Sequence, residues 1–117
     1  MAAVHAAIGD VTTSSLTPST TALNGGSIKY VKWNHVVMVA GSINPKTSLT
    51  LNTDYQVTSG LPKPVYGGDI NIMYRGANNY THRSYLSLTS GGKINFQPRF
   101  ENIDDWLNFQ ITYITNE

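Results

Sequence analysis

The chain has 117 residues, the size of a single domain, and contains no cysteine, which excludes a disulfide framework and thiolate metal sites. Charged residues make up 13% of the sequence, the formal net charge is +1, and the eight lysine and arginine residues are scattered. Nucleic acid is therefore not an expected partner, because phosphate binding needs a concentrated basic surface. No apolar run approaches the length of a membrane span, so we expect no membrane insertion.

The N-terminal segment differs in composition from the rest of the chain. Residues 11–28 contain no charged residue and are rich in serine, threonine and glycine. Such a composition is typical of a tether or of a weakly structured first strand. We therefore divide the chain into residues 1–27, which form a leader, a neck or a first strand, and residues 28–117, which form the main domain.

A β-hairpin is predicted next. Two β-rich runs, 28–33 and 36–43, meet at Asn34, a residue type that tolerates the left-handed backbone of a tight turn. Pro45 is expected to end the second strand. Residues 36–40 are apolar on both sides of that strand, so one side can fill a core while a neighbouring sheet or a second subunit covers the other.

The middle of the chain shows short alternating runs. Residues 49–51, 55–57 and 69–74 alternate apolar with polar positions, which predicts strands with one buried face. A loop is expected after Gly76, where the alternation ends.

The C-terminal part carries the strongest hairpin signal. Residues 90–92, Ser-Gly-Gly, separate two β-rich runs, and paired glycines accept the positive φ angles of a tight turn. Residues 107–113 alternate throughout, and residues 102–106 favour at most one helical turn. Short strands without crossover helices predict an all-β antiparallel sandwich or barrel. The expected inward side chains of the last strand are Leu107, Phe109, Ile111 and Tyr113.

Four segments occur in an order that resembles a known family. They are residues 30–43 (YVKWNHVVMVAGSI), 61–64 (LPKP), 88–94 (LTSGGKI) and 109–115 (FQITYIT). This ordered set is similar to the C-terminal head domains of phage receptor-binding proteins, the tail-fibre or baseplate tips of phages that infect Gram-positive bacteria.

The resemblance implies a fold, a partner and a location. It implies a homotrimer of jelly-roll-like β-sandwich heads that grips a cell-wall polysaccharide or teichoic acid. It also implies contact with other tail or baseplate proteins, in a virion assembled in the host cytoplasm.

The motifs of common enzymes are absent from the sequence. There is no Gly-x-Ser-x-Gly elbow, no phosphate-binding Gly-x-x-x-x-Gly-Lys loop and no His-Glu-x-x-His helix. The three histidines, His5, His35 and His82, lack the spacing of a local metal site. We therefore predict a protein that binds without catalysis and uses neither a metal nor a cofactor.

Three clusters combine aromatic rings with polar groups, the mixture that binds a sugar through stacking and directional hydrogen bonds. The alternative for each is an ordinary surface loop, or an aromatic ring that packs onto the sandwich. The candidates are Asn78, Asn79, Tyr80, His82 and Arg83 in one loop, Asp104, Asp105 and Trp106 in a second segment, and Trp33 at the first hairpin.

Two other functions stay open from the sequence. The chain can be a structural trimerisation or capping module that ends a fibre and binds no ligand. It can also be an accessory carbohydrate-binding domain of a larger hydrolase.

Overall fold

The computed structural model describes residues 11–76, 84–99 and 105–117, and within these ranges the chain forms strands and no helix. The predicted all-β class is confirmed. The strands are β1 (Val11–Leu16), β2 (Leu23–Trp33), β3 (Val36–Pro45), β4 (Tyr55–Thr58), β5 (Ile70–Asn71), β6 (Tyr74–Gly76), β7 (Tyr85–Leu88), β8 (Ile94–Gln97) and β9 (Leu107–Ile114).

The strands make two antiparallel sheets, as expected for a β-sandwich. The larger sheet has the order β1-β2-β3-β9-β6, and the smaller has the order β4-β8-β7-β5. Alternate side chains of both sheets are buried in one hydrophobic core. This core includes Val37, Val39 and Ile43 of β3, Leu86 and Leu88 of β7, Ile94 and Phe96 of β8, and Leu107, Phe109 and Tyr113 of β9.

Both predicted hairpins are confirmed. β2 and β3 pair up to Trp33 opposite Val36, and Asn34 in the turn between them has a φ of 51°. β7 and β8 pair up to Leu88 opposite Ile94, and Gly92 in their turn has a φ of 77°. In each turn, a residue type that tolerates positive φ stands at the position that requires it.

The charge-free segment near the N-terminus contributes to the larger sheet. β1 pairs with β2 along its whole length, from Val11 opposite Trp33 to Leu16 opposite Ile28. β2 begins at Leu23, so the predicted boundary between residues 27 and 28 falls inside a strand. Residues 1–10 lie outside the described part of the chain.

Two predicted strands differ from the structure. The strand predicted at residues 49–51 is wrong, because the backbone turns at Leu51 and Asn52, and Asn52 has a φ of 62°. The strand predicted at residues 69–74 is divided between the sheets, since β5 pairs with β7 and β6 pairs with β9. Of the helical turn predicted at residues 102–106, only Asp105 and Trp106 are described, and neither is helical.

The segment 61–64 is attached to the end of β9. The hydroxyl of Tyr113 donates to the carbonyl of Pro62 at 2.7 Å, and the hydroxyl of Thr115 donates to the carbonyl of Lys63 at 2.6 Å. Pro64 forms an isolated bridge with Thr115. A buried tyrosine thus ties the segment between β4 and β5 of the smaller sheet to the last strand of the larger sheet.

Replacing Tyr113 with phenylalanine is expected to lower the free energy of unfolding by about 1–2 kcal/mol, because a buried carbonyl loses its donor. Burial, reinforced by Tyr30 and Glu117, raises the pKa of the Tyr113 phenol above its ordinary value of 10. The unfolded phenol ionises first, so this contribution to stability is complete below pH 10 and is lost as the pH rises further.

Urea unfolding at pH 8 and pH 11 measures both effects. We expect the wild-type midpoint to fall more steeply with pH than the midpoint of Tyr113→Phe. Tyr66→Phe is the matched control, because that ring is 65% exposed. Equal slopes for wild type and Tyr113→Phe would contradict the assignment.

Candidate binding surfaces

The predicted loop cluster lies outside the described residues. This cluster consists of Asn78, Asn79, Tyr80, His82 and Arg83. Asp104, from the second segment, also lies outside the described residues. Their assignment as saccharide contacts stays a prediction. Among the sequence candidates, the structure describes Trp33, Asp105 and Trp106.

Asp105 does not face solvent. Its exposed fraction is 2%, and the described part of the chain leaves no buried polar side-chain atom without a hydrogen bond. A ligand arriving from solvent does not reach a carboxylate in this position. Asp105 is therefore removed from the set of predicted saccharide contacts.

Trp106 lies against the backbone of β2. Its ring atom Cη2 is 3.2 Å from the position that a Cβ on Gly25 would take, so only glycine lets the indole approach this closely. The indole Nε1 donates to the side-chain oxygen of Asn44 at 3.2 Å, in the amide orientation that satisfies both neighbours of Asn44. The ring remains 42% exposed. Part of the Trp106 ring is therefore packed against Gly25 and Asn44, and the rest is accessible to solvent.

Trp33 lies at the opposite end of the same sheet. It is 44% exposed and ends β2, whereas Gly25 marks the Trp106 end of that strand. Eight residues of extended chain separate the two positions, a distance of about 26 Å. The structure does not bring the two predicted tryptophan sites together.

Trp33 belongs to a row of apolar side chains on the outer face of the larger sheet. The row crosses four neighbouring strands in direct register, with Val11 opposite Trp33, Trp33 opposite Val36, and Val36 opposite Ile114. Val11, Trp33 and Ile114 are 47%, 44% and 55% exposed, and Val36 between them is partly buried. We call Val11, Trp33, Val36 and Ile114 the apolar row.

The same face becomes polar away from the apolar row. The next row inward still contains Val31 and Met38, and Met38 is 43% exposed. Further along, Ser42 donates to the side-chain oxygen of Asn108 at 2.6 Å. The exposed apolar side chains are thus concentrated at one end of the sheet, which includes the side of β3 that the sequence predicted to need a cover.

The outer face of the smaller sheet is different in character. One polar side chain from each of its four strands lies in a single register row. Three of these side chains carry amides and one carries a hydroxyl, so together they offer both donors and acceptors. We call this row the amide face. Its members are Gln56 of β4, Asn95 of β8, Ser87 of β7 and Asn71 of β5.

An exposed aromatic ring borders the amide face. Tyr85 is 56% exposed, and the guanidinium carbon of Arg99 lies 4.9 Å from its ring centroid. Arg99 also donates to the side-chain oxygen of Gln97 at 2.9 Å, and Gln97 donates to a carboxylate oxygen of Asp54 at 3.2 Å. This chain of contacts holds one side of the face in a defined arrangement.

A shallow cleft lies across this region. Its volume is about 340 Å³, and its lining combines carboxylates, an amide, a hydroxyl and an aromatic ring. The lining residues are Asp54, Asp69, Asn71, Tyr85 and Ser87.

No family model and no curated protein matches this chain. The two outer faces of the sandwich therefore carry the evidence for its function. Among the described residues, no group of three or more histidine, aspartate or glutamate side chains is placed to hold a metal ion. The described part of the chain also contains no helix of the length and apolarity needed to cross a membrane.

The sequence interpretation missed the cleft, although one signal for it was present. Tyr85 and Ser87 alternate with buried leucines, so their outward direction follows from the strand period. What the alternation does not indicate is that Asp54 and Asn71, which are distant in sequence, lie beside them. That neighbourhood depends on the order of strands in the sheet.

Proposed function

We propose that this chain is the head domain of a phage receptor-binding protein, a homotrimeric, jelly-roll-like sandwich that adheres to a bacterial cell-surface saccharide without cleaving it. The ligand is a cell-wall polysaccharide or teichoic acid, and the chain acts at the tail tip of the virion beside other tail or baseplate proteins. The observation that carries this proposal is the amide face with Tyr85 at its border.

The amide face has the chemistry that a sugar requires. Sugar hydroxyls both donate and accept hydrogen bonds, and side-chain amides complement them in both directions. The exposed Tyr85 ring offers an apolar surface against which the C–H face of a pyranose packs. The cleft is open and shallow, which suits a segment of a long polymer better than an enclosed small molecule.

The apolar row supports the proposed trimer. Exposed contiguous apolar patches mark interaction surfaces, and the low share of charged residues leaves few groups to oppose self-association. The row and the amide face lie on different sheets, on opposite sides of the core. Copies that associate through the row therefore leave the amide face open to ligand.

The binding experiment uses the full chain and cell-wall preparations from a panel of Gram-positive bacteria. We expect saturable binding by the wild type and a loss of about tenfold or more in affinity for Tyr85→Ala, because an exposed aromatic contact is removed. Tyr66→Ala is the control, since Tyr66 is also exposed and does not line the cleft. The affinity of Trp106→Ala for the same preparations tests whether Trp106, which packs against the larger sheet, is the saccharide contact that the sequence predicted.

Several outcomes contradict the proposal. A stable trimer without affinity for any cell-wall preparation would favour the structural capping module.

A test for hydrolysis is also needed, because Asp54 and Asp69 are two carboxylates on one cleft, the arrangement that glycoside hydrolysis uses. The length of the bound polymer is therefore measured as well. Shortening of the polymer that stops in Asp54→Asn and Asp69→Asn would show that the chain is an enzyme.

A further inference from the structure

We infer that the amide face selects a saccharide segment that carries no anionic group, and that it disfavours a phosphodiester polymer. This inference rests on the proposed saccharide-binding function. It distinguishes between the two ligand classes that the function leaves open, a neutral polysaccharide and a teichoic acid.

The charged residues that line the cleft are all acidic. Asp54 and Asp69 line it, and no lysine, arginine or histidine is among its lining residues. Both carboxylates belong to exposed residues, so they lie where a bound polymer passes. A phosphate on the ligand would meet two like charges, whereas a hydroxyl would meet two acceptors.

Arg99 is the described cation that lies beside the aromatic ring of the cleft. The Arg99 guanidinium already lies over the Tyr85 ring and donates to Gln97. An anion that drew Arg99 away from the ring would disturb this arrangement, which also orients the Gln97 amide that donates to Asp54. Arg99 is therefore a positioning residue for the ring and for Gln97.

The two carboxylates of the cleft can accept more hydrogen bonds than the described residues donate to them. Asp54 accepts one bond through one oxygen, and Asp69 accepts none from a described residue. An ionised carboxylate has about four acceptor sites. The acceptor sites that no described residue occupies match the hydroxyl donors of a neutral sugar, and charge assistance makes such bonds strong.

The other sheet offers a contrast. The described outward side chains of the larger sheet include Lys29 and Arg75 and no acidic residue, as the pairing register shows. The cleft on the smaller sheet is therefore lined by carboxylates, whereas the described charged side chains on the outer face of the larger sheet are cationic. If the chain met a phosphate-rich polymer, the larger sheet would be the face to receive it.

The test compares matched probes on the full chain: one series of neutral cell-wall-type oligosaccharides, and the same series carrying phosphate groups. We expect the wild type to bind the neutral series about tenfold more tightly at low salt, with a smaller difference at high salt, because screening weakens the repulsion. The double variant Asp54→Asn, Asp69→Asn should narrow the preference to about threefold or less.

The substitution Asp54→Asn keeps a side-chain oxygen to which Gln97 can donate, so the arrangement around Tyr85 is retained. Thermal unfolding checks that the variant folds.

Equal or tighter binding of the phosphorylated series by the wild type would overturn the inference. An unchanged preference in the double variant would overturn it too. If Tyr85→Ala loses affinity for both oligosaccharide series, that result supports the location of the binding site at the amide face. Failure of the wild type to bind any probe or any cell wall would overturn the proposed function as well, so the two failures are distinguishable.

Discussion

Gly92→Ala is expected to lower the free energy of unfolding by about 3 kcal/mol or more. Gly92 has a φ of 77°, and a Cβ built at this position overlaps the carbonyl oxygen of Leu61. The left-handed backbone costs a non-glycine residue about 1–3 kcal/mol, and a clash with backbone adds a term of similar size. No rotation of a side chain relieves the clash, because the obstructing atom is itself part of the main chain.

The clash also involves the segment that connects β4 to β5. The amide of Leu61 donates to the carbonyl of Gly92 at 3.1 Å, so a shift of either segment weakens that hydrogen bond. Leu61 is also buried in the core, with 4% of its surface exposed. Displacement of the hairpin turn therefore disturbs core packing as well as the turn.

The neighbouring glycine is the matched control. A Cβ on Gly91 meets only the hydroxyl of Thr89 at 3.8 Å, and its φ is not in the left-handed range. Gly91→Ala should therefore stay within about 0.5 kcal/mol of wild type, because alanine at a compatible position mainly restricts the unfolded chain. Urea unfolding of both variants measures the difference. Similar stabilities for the two variants would contradict the geometry of this turn.

Ile114→Lys is expected to convert the proposed trimer into monomers, with at least a hundredfold weaker association. The substitution places an unpaired ammonium within the proposed apolar contact, and burial of an unpaired charge costs several kcal/mol. Ile114 is 55% exposed within one chain, so the monomer itself should keep its thermal stability. Analytical ultracentrifugation across a range of concentrations measures the assembled mass.

The control for this prediction comes from the same strand and the same face. Gln110 points outward from β9 and lies outside the apolar row, opposite Ala40. Gln110→Lys adds the same charge without entering the row, and we expect its assembly to match wild type. A wild type that is monomeric at every concentration would contradict the proposal, and so would an Ile114→Lys variant that remains trimeric.

The two proposals constrain each other. If the apolar row is the contact between copies, each subunit presents its amide face away from that contact, since the two lie on different sheets. A trimer then carries three equivalent sites, which raises the effective affinity for a repeating polymer. Ile114→Lys should therefore weaken binding to cell walls while leaving the affinity for a short oligosaccharide unchanged.

Local features of the fold were predictable from the sequence. Asn34 and Gly92 stand in turns that need positive φ, and both hairpins follow from the residue types at these positions. The alternation in residues 107–113 predicted the buried side of β9, where Phe109 and Tyr113 are buried and Ile111 is partly so. These predictions succeed because turn chemistry and the two-residue strand period act between near neighbours.

The pairing of strands with one another was less predictable from the sequence. The alternation of residues 69–74 indicated a buried side but not a sheet, and the structure assigns Ile70 and Tyr74 to different sheets. Leu49 is buried without belonging to a strand, because a three-residue alternation also fits a turn that points one side chain inward. A strand period specifies a face and leaves the neighbouring strand open.

By itself, the sequence determined the all-β class, the two tight hairpins and the inward face of the last strand. The tertiary structure alone decided that Gln56, Asn71 and Ser87 share one outer face, and that Val11 extends the apolar row to Ile114. It also decided that Asp105 is buried. The physical reason is that side-chain direction follows from local backbone geometry, whereas the side chains that meet across a sheet depend on strand order and register, which are set by packing of the whole core.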